Sequence, residues 1–597
     1  MATAYAMPPL PAASVPPRRT SPALVRSRPS LVRGEELWQR WDALKRQRSS
    51  WEYDYQDIVN YLVPGADDIL NMRAPGQSRT EYIYDSRPLR APQTLAANIQ
   101  GAVTNPALDW FRLRFRLEAL NQLQHVNGWL EACDTTMLAC YNASNFYQAA
   151  HTYYLQLGAF GTAAMYVTAR RQEVAGVHLQ FKTLPVGSYC IAENADGRVD
   201  TLFRECWFSP RQAYQQFGEG VSQHTMAALG EAQTMDKPER YLHAVYPRMD
   251  RRPDRMGNRN MPWVDCYLDG DTHEVVKEAG YEEFPFVVSR WETLAQSPYG
   301  FGPGHLALPD VRVLNKLREM NLSQLQLWAA PPFFITGHEG IVGNISLDPY
   351  ALNYESVQNA IRAFESGGRP DLVQINAQDL MGSINDSFYV NALQALPPPG
   401  ATPTTAFEVA QRIELMQRVM GPVFTRLLSE MLDPLADRVF GLLLRARALP
   451  QPPMEVLYAA AQNAGQLDVE YEGPLARAQR QTDAQSIGQT VRMTSEIVQA
   501  SGHADIWENY DLDAMSRRIA EVNGMPRSLV LDALDVQRMR KARAQVQAQQ
   551  QQDAEARANA QTAPAVAETM QRFAALGQGA RQMGGPMPTG LPPAQAA

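Results

Sequence analysis

Lysine is nearly absent from this chain. Lys45, Lys182, Lys237, Lys277, Lys316 and Lys541 are its whole complement, and none follows a glycine. Without a Gly-Lys pair there is no phosphate-cradling P-loop, which excludes a Walker-type ATPase motor. GxSxG and HExxH are missing as well, and with them the nucleophile elbow of a serine hydrolase and the helical zinc pair of a metalloprotease. The five cysteines, at 133, 140, 190, 206 and 266, include no CxxC spacing, so a zinc or redox site of that kind is excluded. Cys133 and Cys140, seven apart, share a helical face and read as small buried hydrophobes. So few thiols imply a reducing compartment. No apolar run approaches the ~20 residues needed to span a bilayer, and the N-terminal stretch has no apolar signal-peptide core. The expectation is a protein of intracellular origin with no membrane partner.

Basic charge in excess is lacking too. The chain carries 55 Lys and Arg against 63 Asp and Glu, a net charge of −8, whereas a protein that grips DNA by neutralising phosphates needs the opposite balance. Arginine supplies nearly all the cations, which reads as the coding bias of a GC-rich genome before it reads as arginine-specific recognition. Present in ordinary amount are apolar residues, 45% over 597 residues. That is enough for several domains of about 150 residues each.

Residues 1–34 are rich in Pro, Ala, Ser and Arg (Arg18, Arg19, Arg26, Arg28, Arg33) with no acid before Glu35. They read as a disordered basic arm, with a transit peptide as the alternative. Leu37, Trp41, Leu44, Trp51, Tyr55, Ile58 and Leu62 then recur at three-to-four spacing, which predicts an amphipathic helix over 35–62 ended by Pro64-Gly65. Further helices are expected over 87–104 and 123–160. From 164 to 292 the period changes. "AAMYVTARR", "VHLQFKTL", "VDTLFRECWF", "RYLHAVYP", "WVDCYLD" and "FPFVVSRW" are β-rich runs separated by turns such as Asp196-Gly197 and Asp269-Gly270, an antiparallel β unit inserted in a helical protein. The fold class expected is therefore mainly α with an inserted antiparallel β unit, α+β.

Glycines 300, 302 and 304 miss the GxGxxG spacing by one residue, and Pro303 removes an amide. They predict a turn from strand into a helix over 309–328. "PPFFITGHEGIVGNISLDPYALNY" reads as a small hairpin module and is followed by a short helix over 376–390. Then comes "QALPPPGATPTTAFEVAQRIELMQRVMGP". No charge lies between Asp386 and Glu408, and Thr405 and Glu408 form a capping box in which each side chain satisfies the other residue's amide. The apolar stripe Ile413, Met416, Met420, Phe424, Leu427, Met431, Leu435, Val439, Leu442 continues that helix to about 447, on the order of 60 Å at about 1.5 Å per residue. Gly421-Pro422 and Pro434 are expected to kink it. After a proline-rich return at 450–453, three helical segments occupy 482–560, punctuated by Ser501-Gly502 and by "NGMP" at 523–526. The last is so polar that it must be solvated or packed on copies of itself. Residues 561–597, rich in Ala, Gly, Pro and Gln, read as a disordered tail.

His273-Glu274 and His338-Glu339 have no third ligand at metal spacing, and Asp67-Asp68 and Glu282-Glu283 sit in expected loops as solvated charge. No catalytic residue, metal ligand or cofactor site emerges, and an enzyme is not expected.

Six segments in order carry a resemblance: "RWDALKRQRSSWEYDYQDIVNYLVP", "YIYDSRPLRAPQTLAANIQGAVTNPALDWFRL", "FGTAAMYV", "YGFGPGHLALPDVRVLNKL", "TTAFEVAQRIELMQRVMGPVFTRLLSEMLDPLADRVF" and "VNGMPRSLVLDALDVQRMRKARAQ". Over roughly 35–550 the chain resembles the head-to-tail connector, or portal, proteins of short-tailed bacteriophages. The resemblance implies a ring, typically a dodecamer, at one capsid vertex of the virion, assembled in the host cytoplasm. It implies major capsid and scaffolding proteins, terminase and tail adaptor or nozzle proteins as partners, with double-stranded DNA passing through the channel during packaging and ejection. By position it implies a portal-type fold: a wing over 35–304, stem helices at 305–328 and 376–390, a clip at 329–375, a tunnel loop at 391–404, a long wing helix and return at 405–480, and a helical crown or barrel at 481–560. The DNA-channel loop would comprise Gln394, Leu396, Pro397, Pro398, Pro399, Gly400 and Thr402. The arm and the tail have no clear family counterpart. Two alternatives for the function stay open, another virion structural protein (a scaffold or internal core protein) and an enzyme of unrecognised type with its site in the β unit, and for the loop the alternative is an ordinary proline-rich linker.

If Thr405 caps the helix, Thr405→Ala should cost about 1 kcal/mol of stability. A thermal melt of the variant unchanged from the parent would remove the cap.

Overall fold

A computed structural model describes residues 5–6, 28–71, 73–74, 76–121, 123–172, 176–251, 257–336, 346–355, 362–363, 370–390, 420–461, 466–471, 474–522, 530–531, 536–554 and 570–571. The chain forms two units, one of residues 1–121 with 125–527 and one of residues 122–124 with 528–597. Helices dominate, and almost every strand pairing is antiparallel, the mainly-α class with a β insertion that the periodicity predicts.

A short strand β1 (Tyr5–Ala6) precedes α1 (Arg28–Tyr61). The helix starts seven residues before the expected position, so the arm does not run to residue 34. Then follow α2 (Arg90–Val103), β2 (Phe111–Phe115), α3 (Glu118–Asn121), α4 (Gln124–Ala143) and α5 (Phe146–Phe160). The single helix expected over 123–160 is thus two, broken where Ser144 Oγ folds back onto the Tyr141 carbonyl at 2.8 Å, a local bond that competes with the helical ladder. Of the paired cysteines on α4, Cys133 is buried and Cys140 half-buried, and all five thiols are free.

The β unit is a sandwich. β3 (Thr162–Gln172), β4 (Gly176–Leu184) and β10 (Phe286–Arg290) form one sheet in the order β10-β3-β4. The other has the order β5-β6-β7-β8-β9, from β5 (Tyr189–Glu193), β6 (Val199–Phe208), β7 (Glu239–Pro247), β8 (Trp263–Asp269) and β9 (Val275–Tyr281), with short helices α6 (Pro210–Phe217) and α7 (Gln223–Leu229) between β6 and β7. β5 and β9 were not foreseen, because their short runs lack alternation. Ala164, Leu184, Ile191, Leu202, Val245, Phe286 and Val288 fill the space between the sheets. The opposite face of the larger sheet, with Phe203, Leu242, Ala244, Val264, Cys266 and Leu268, is covered by Leu37 and Trp41 of α1. Period-2 alternation in the strands therefore serves two cores.

The hairpin β11 (Glu292–Leu294) and β12 (Ser297–Phe301) leads into α8 (Pro303–Ala329). Gly300, Gly302 and Gly304 form the expected strand-to-helix turn, and they also let it press on the α5–β3 junction. Gly161, in the left-handed region at φ +71°, caps α5, and a β-carbon on Gly304 would lie 1.9 Å from the Ala159 carbonyl oxygen.

The segment expected to be a hairpin is not one. β13 (Phe333–Thr336) pairs in parallel with β14 (Leu352–Glu355) and antiparallel with β15 (Arg362–Ala363), and parallel neighbours require a crossover where a hairpin turn cannot serve. α9 (Pro370–Ser387) begins six residues early and packs on α8. The apolar stripe ahead of Pro450 appears as α10 (residues 420–445), with Met420, Phe424, Leu427, Met431, Leu435 and Val439 buried. α11 (Met454–Ala461), β16 (Gln466–Tyr471), α12 (Pro474–Ser501) and α13 (Leu512–Val522) complete this unit. β16 pairs with β2. The second unit contains α14 (residues 536–554), whose side chains are solvent-exposed almost throughout.

Gly304→Ala should lower the melting temperature, because a forced clash in a packed site costs about 1–3 kcal/mol and outweighs the helix propensity gained. Gly488→Ala in α12, where nothing lies within 4 Å, should raise stability by up to about 1 kcal/mol. Equal shifts in the two melts would refute the close approach.

Candidate functional site: the base of an uncharged loop

α8 leaves the sandwich as a rigid arm whose charged side chains are matched within the chain. Asn315 accepts from the Tyr84 amide at 2.8 Å and donates to the Tyr82 carbonyl at 2.6 Å. Arg318 Nε and Arg87 Nη2 converge on Asp85 Oδ2 at 3.0 and 2.6 Å. Burial would push the Asp85 carboxyl up, but these guanidinium hydrogen bonds prevail and hold it below the ordinary carboxylate range. Arg312 meets Asp57, and Ser383 of α9 donates to Asp310 at 2.6 Å. Beyond Glu319 the chemistry changes: no charge occurs from Met320 to Gly337, and Met320, Leu325 and Trp328 are 59%, 46% and 44% exposed.

After α9 the chain passes Phe388, buried, and Tyr389, whose ring stacks 6.1 Å from that of Trp291. On the far side of the uncharged segment, Arg426 Nη1 of α10 donates to the Trp291 carbonyl at 3.3 Å. Tyr389 and Arg426 thus both contact Trp291, at the junction of β10 and β11.

α10 is fastened at the same place. Pro434 has no N–H, so the Glu430 carbonyl loses the donor an α-helix would supply. The helix responds with a π-turn over Leu428–Leu432, in which the Asp433 amide reaches back to Leu428. Glu430 sits in that turn and accepts from the Arg290 amide at 2.8 Å and from Arg290 Nη2 at 2.7 Å. Arg290, its side chain 4% exposed, also pairs with Glu193 and donates to the Gly197 carbonyl at 2.9 Å. Further along α10, Arg438 and Arg445 reach Glu283 at 2.9 and 2.6 Å.

Gln394, Leu396, Pro397, Pro398, Pro399, Gly400, Thr402, Thr405 and Glu408 lie outside the described residues. Gly421 and Pro422 are within α10, where the Gly421 carbonyl accepts from Thr425 Oγ1 at 2.9 Å, and Pro434 follows the π-turn. Sequence reasoning missed Glu430, Arg290 and Trp291. A signal existed for the first, since it stands four residues before a proline inside a helical stripe.

In the β unit the buried titratable groups pair with one another. Arg204 Nε donates to His243 Nδ1 at 3.0 Å, which leaves the proton on Nε2 to donate to Asp265 at 2.8 Å. The three are 5%, 0% and 3% exposed, beyond the reach of a substrate. Burial pushes His243 down to about 4, with Arg204 acting in the same direction, so the imidazole is neutral. His305, 8% exposed at the start of α8, is likewise held by burial at about 4. His273 stacks on Trp38 at 4.2 Å and its ring meets Glu35 at 3.1 Å. Among the described residues no group of three His, Cys, Asp or Glu could hold a metal ion, and no helix is long and apolar enough to cross a membrane.

Residues 34–531 match the family model of the bacteriophage head to tail connecting protein. The chain belongs to that family. It is 30% identical over 517 residues to the probable portal protein of Bordetella phage BPP-1 and 28% identical over 519 residues to the portal protein of Salmonella phage epsilon15, covering 85% of this chain and 90% of the relative in each case. Its function is that of a phage portal at the capsid vertex, and the family is a structural one. Among solved structures, the neck of an empty gene transfer agent particle aligns over 72% of this chain and 94% of its own at 11% identity, with a TM-score of 0.32.

Both buried histidines titrate from about 4 in the fold against an ordinary 6.5. The unfolded chain thus binds the extra protons first, and stability is lost as pH falls through that window. Melting temperature should drop between pH 6.5 and 4, and His305→Gln, which keeps an acceptor for the Gly302 amide, should flatten the drop. An identical slope in the variant would refute the assignment.

Proposed function

We propose that twelve copies of this chain close into a ring that conducts double-stranded DNA into and out of the capsid, with the uncharged segment at 391–404 lining the passage. The observation that supports this is that Tyr389, ahead of the segment, and Arg426, well beyond it, both contact Trp291, so the described residues before and after it are held at one place. Pro397, Pro398 and Pro399 restrict its backbone, and Gly400 permits the reversal. A loop without charge meets the duplex by shape, because each phosphate neutralised would release counterions and strengthen adhesion. The acidic balance of the chain, −8 per copy, acts in the same sense.

On this reading the sandwich with α1 is the wing (35–304), α8 and the later part of α9 are the stem helices (305–328 and 376–390), and residues 329–375 form the clip that meets terminase and then tail adaptor or nozzle proteins. Residues 405–480 cross the wing, with Gly421, Pro422 and Pro434 redirecting the helix. Residues 481–560 build the crown. The uncharged apolar flank of α8 from Met320 to Trp328 suits contact with a neighbouring copy. Capsid and scaffolding proteins would hold the ring at its vertex during assembly in the host cytoplasm, and the protein itself would catalyse nothing, the force coming from a separate motor.

Deleting residues 395–402 should leave annular particles intact in negative stain while packaging or retention of DNA falls. Loss of the rings themselves would assign the segment to assembly and refute the channel role.

A further inference from the structure

Leu306, Val313 and Met320 recur on α8 at every seventh residue. That spacing returns to one helical face within about 20°, and all three side chains are exposed, so they form an apolar ridge. At about 3.6 residues per turn, Leu322 and Leu325 point to the opposite side. They are exposed as well and, with Tyr84, Asp85 and Arg318, line a concavity of about 260 Å³. Its far wall is held in place by Asn315, which bonds the Tyr82 carbonyl and the Tyr84 amide at 2.6 and 2.8 Å. Among the described residues neither face is covered, yet a helix apolar on opposite sides is a buried helix. The ion pairs beside the two faces differ in the sign of their surplus. Arg312, next to the ridge, meets two carboxylates, Asp54 and Asp57, whereas at the concavity Arg87 and Arg318 share one, Asp85.

We propose, resting on the ring assigned above, that neighbouring copies meet through these two unlike faces: Leu306, Val313 and Met320 of one copy seat in the concavity of Tyr84, Leu322 and Leu325 of the next. Each copy then gives its ridge to one neighbour and its concavity to the other. Contact between unlike faces passes from copy to copy until the rotation closes a ring, whereas like faces would pair two copies and stop. Apolar surface without charge at its centre suits the core of such an interface. The carboxylate surplus beside the ridge and the guanidinium surplus beside the concavity attract across it and oppose ridge on ridge. Because Asn315 holds the concavity open in the single chain, little ordering is left to be done when the neighbour arrives.

The test is the double variant Met320→Cys, Leu325→Cys in the full chain, assembled, oxidised and run on a non-reducing gel. The two thiols sit on opposite sides of one helix and cannot join within a chain, since a disulfide needs β-carbons that face each other about 3.5–4.5 Å apart. The expected result is a ladder of covalent multimers that neither single variant gives. Dimers from Met320→Cys alone would place ridge on ridge and overturn the proposal. Annular particles that run only as monomer would leave the two faces to another protein and overturn it too. Met320→Glu supplies a second reading. The side chain is exposed in the single chain, so the melting temperature of the unassembled protein should hold while annular particles are lost; particles in undiminished number would overturn the contact. Absence of annular particles from the parent protein refutes the ring itself, and this contact falls with it.

Discussion

At the crossing of the α5–β3 junction with the β12–α8 turn there is no room for side chains, and this close approach is the constraint on which the rest of the described architecture depends. Gly161 faces Gly300 and Gly302, and Gly304 lies against the Ala159 carbonyl. Because backbone touches backbone there, the direction in which α8 leaves the sandwich is set by geometry that side-chain repacking cannot adjust. α9 packs on α8, so it inherits that direction, and so does the point at which the uncharged segment departs.

The remaining attachments use different physics. α1 covers its sheet with apolar surface, a non-directional contact that tolerates small shifts. α10 is held by charge: Arg290 with Glu193 and Glu430, and Arg438 and Arg445 with Glu283. Losing one partner of a buried pair costs about 3–5 kcal/mol, and hydrogen-bonded guanidinium groups fix orientation as apolar packing does not. Such directional anchors suit the role proposed for this helix, holding the root of a channel loop against a moving duplex. Pro434 contributes by forcing the π-turn that aims Glu430 at Arg290.

Helix starts were the systematic error in the sequence reading, and the cause is specific. α8, α9 and α12 begin with Pro303, Pro370 and Pro474, and α1 has Pro29 in its first turn. Each expected start falls after the proline, whereas proline at the first helical position loses nothing, since that N–H has no intrahelical partner in any case. The mistaken hairpin at β13 has another origin. Alternation and turn residues report that strands exist; whether β13 pairs with β14 in parallel depends on the path between them, which the alternation does not encode. The pairing of β16 with β2 escaped notice for the same reason, its partners lying hundreds of residues apart.

Legible in the residues alone were the family, the α+β class, the places where strand period gives way to helix, the glycine turn into α8 and the uncharged proline segment before α10. Each is written in local spacing or in the order of motifs along the chain. Contacts in space alone show that Tyr389 and Arg426 both meet Trp291, that Glu430 fastens α10 to Arg290, and that Arg204, His243 and Asp265 form a sealed ladder instead of a site. These depend on contacts between residues distant in sequence, and whether a titratable side chain acts as chemistry or as mortar is set by what surrounds it in space.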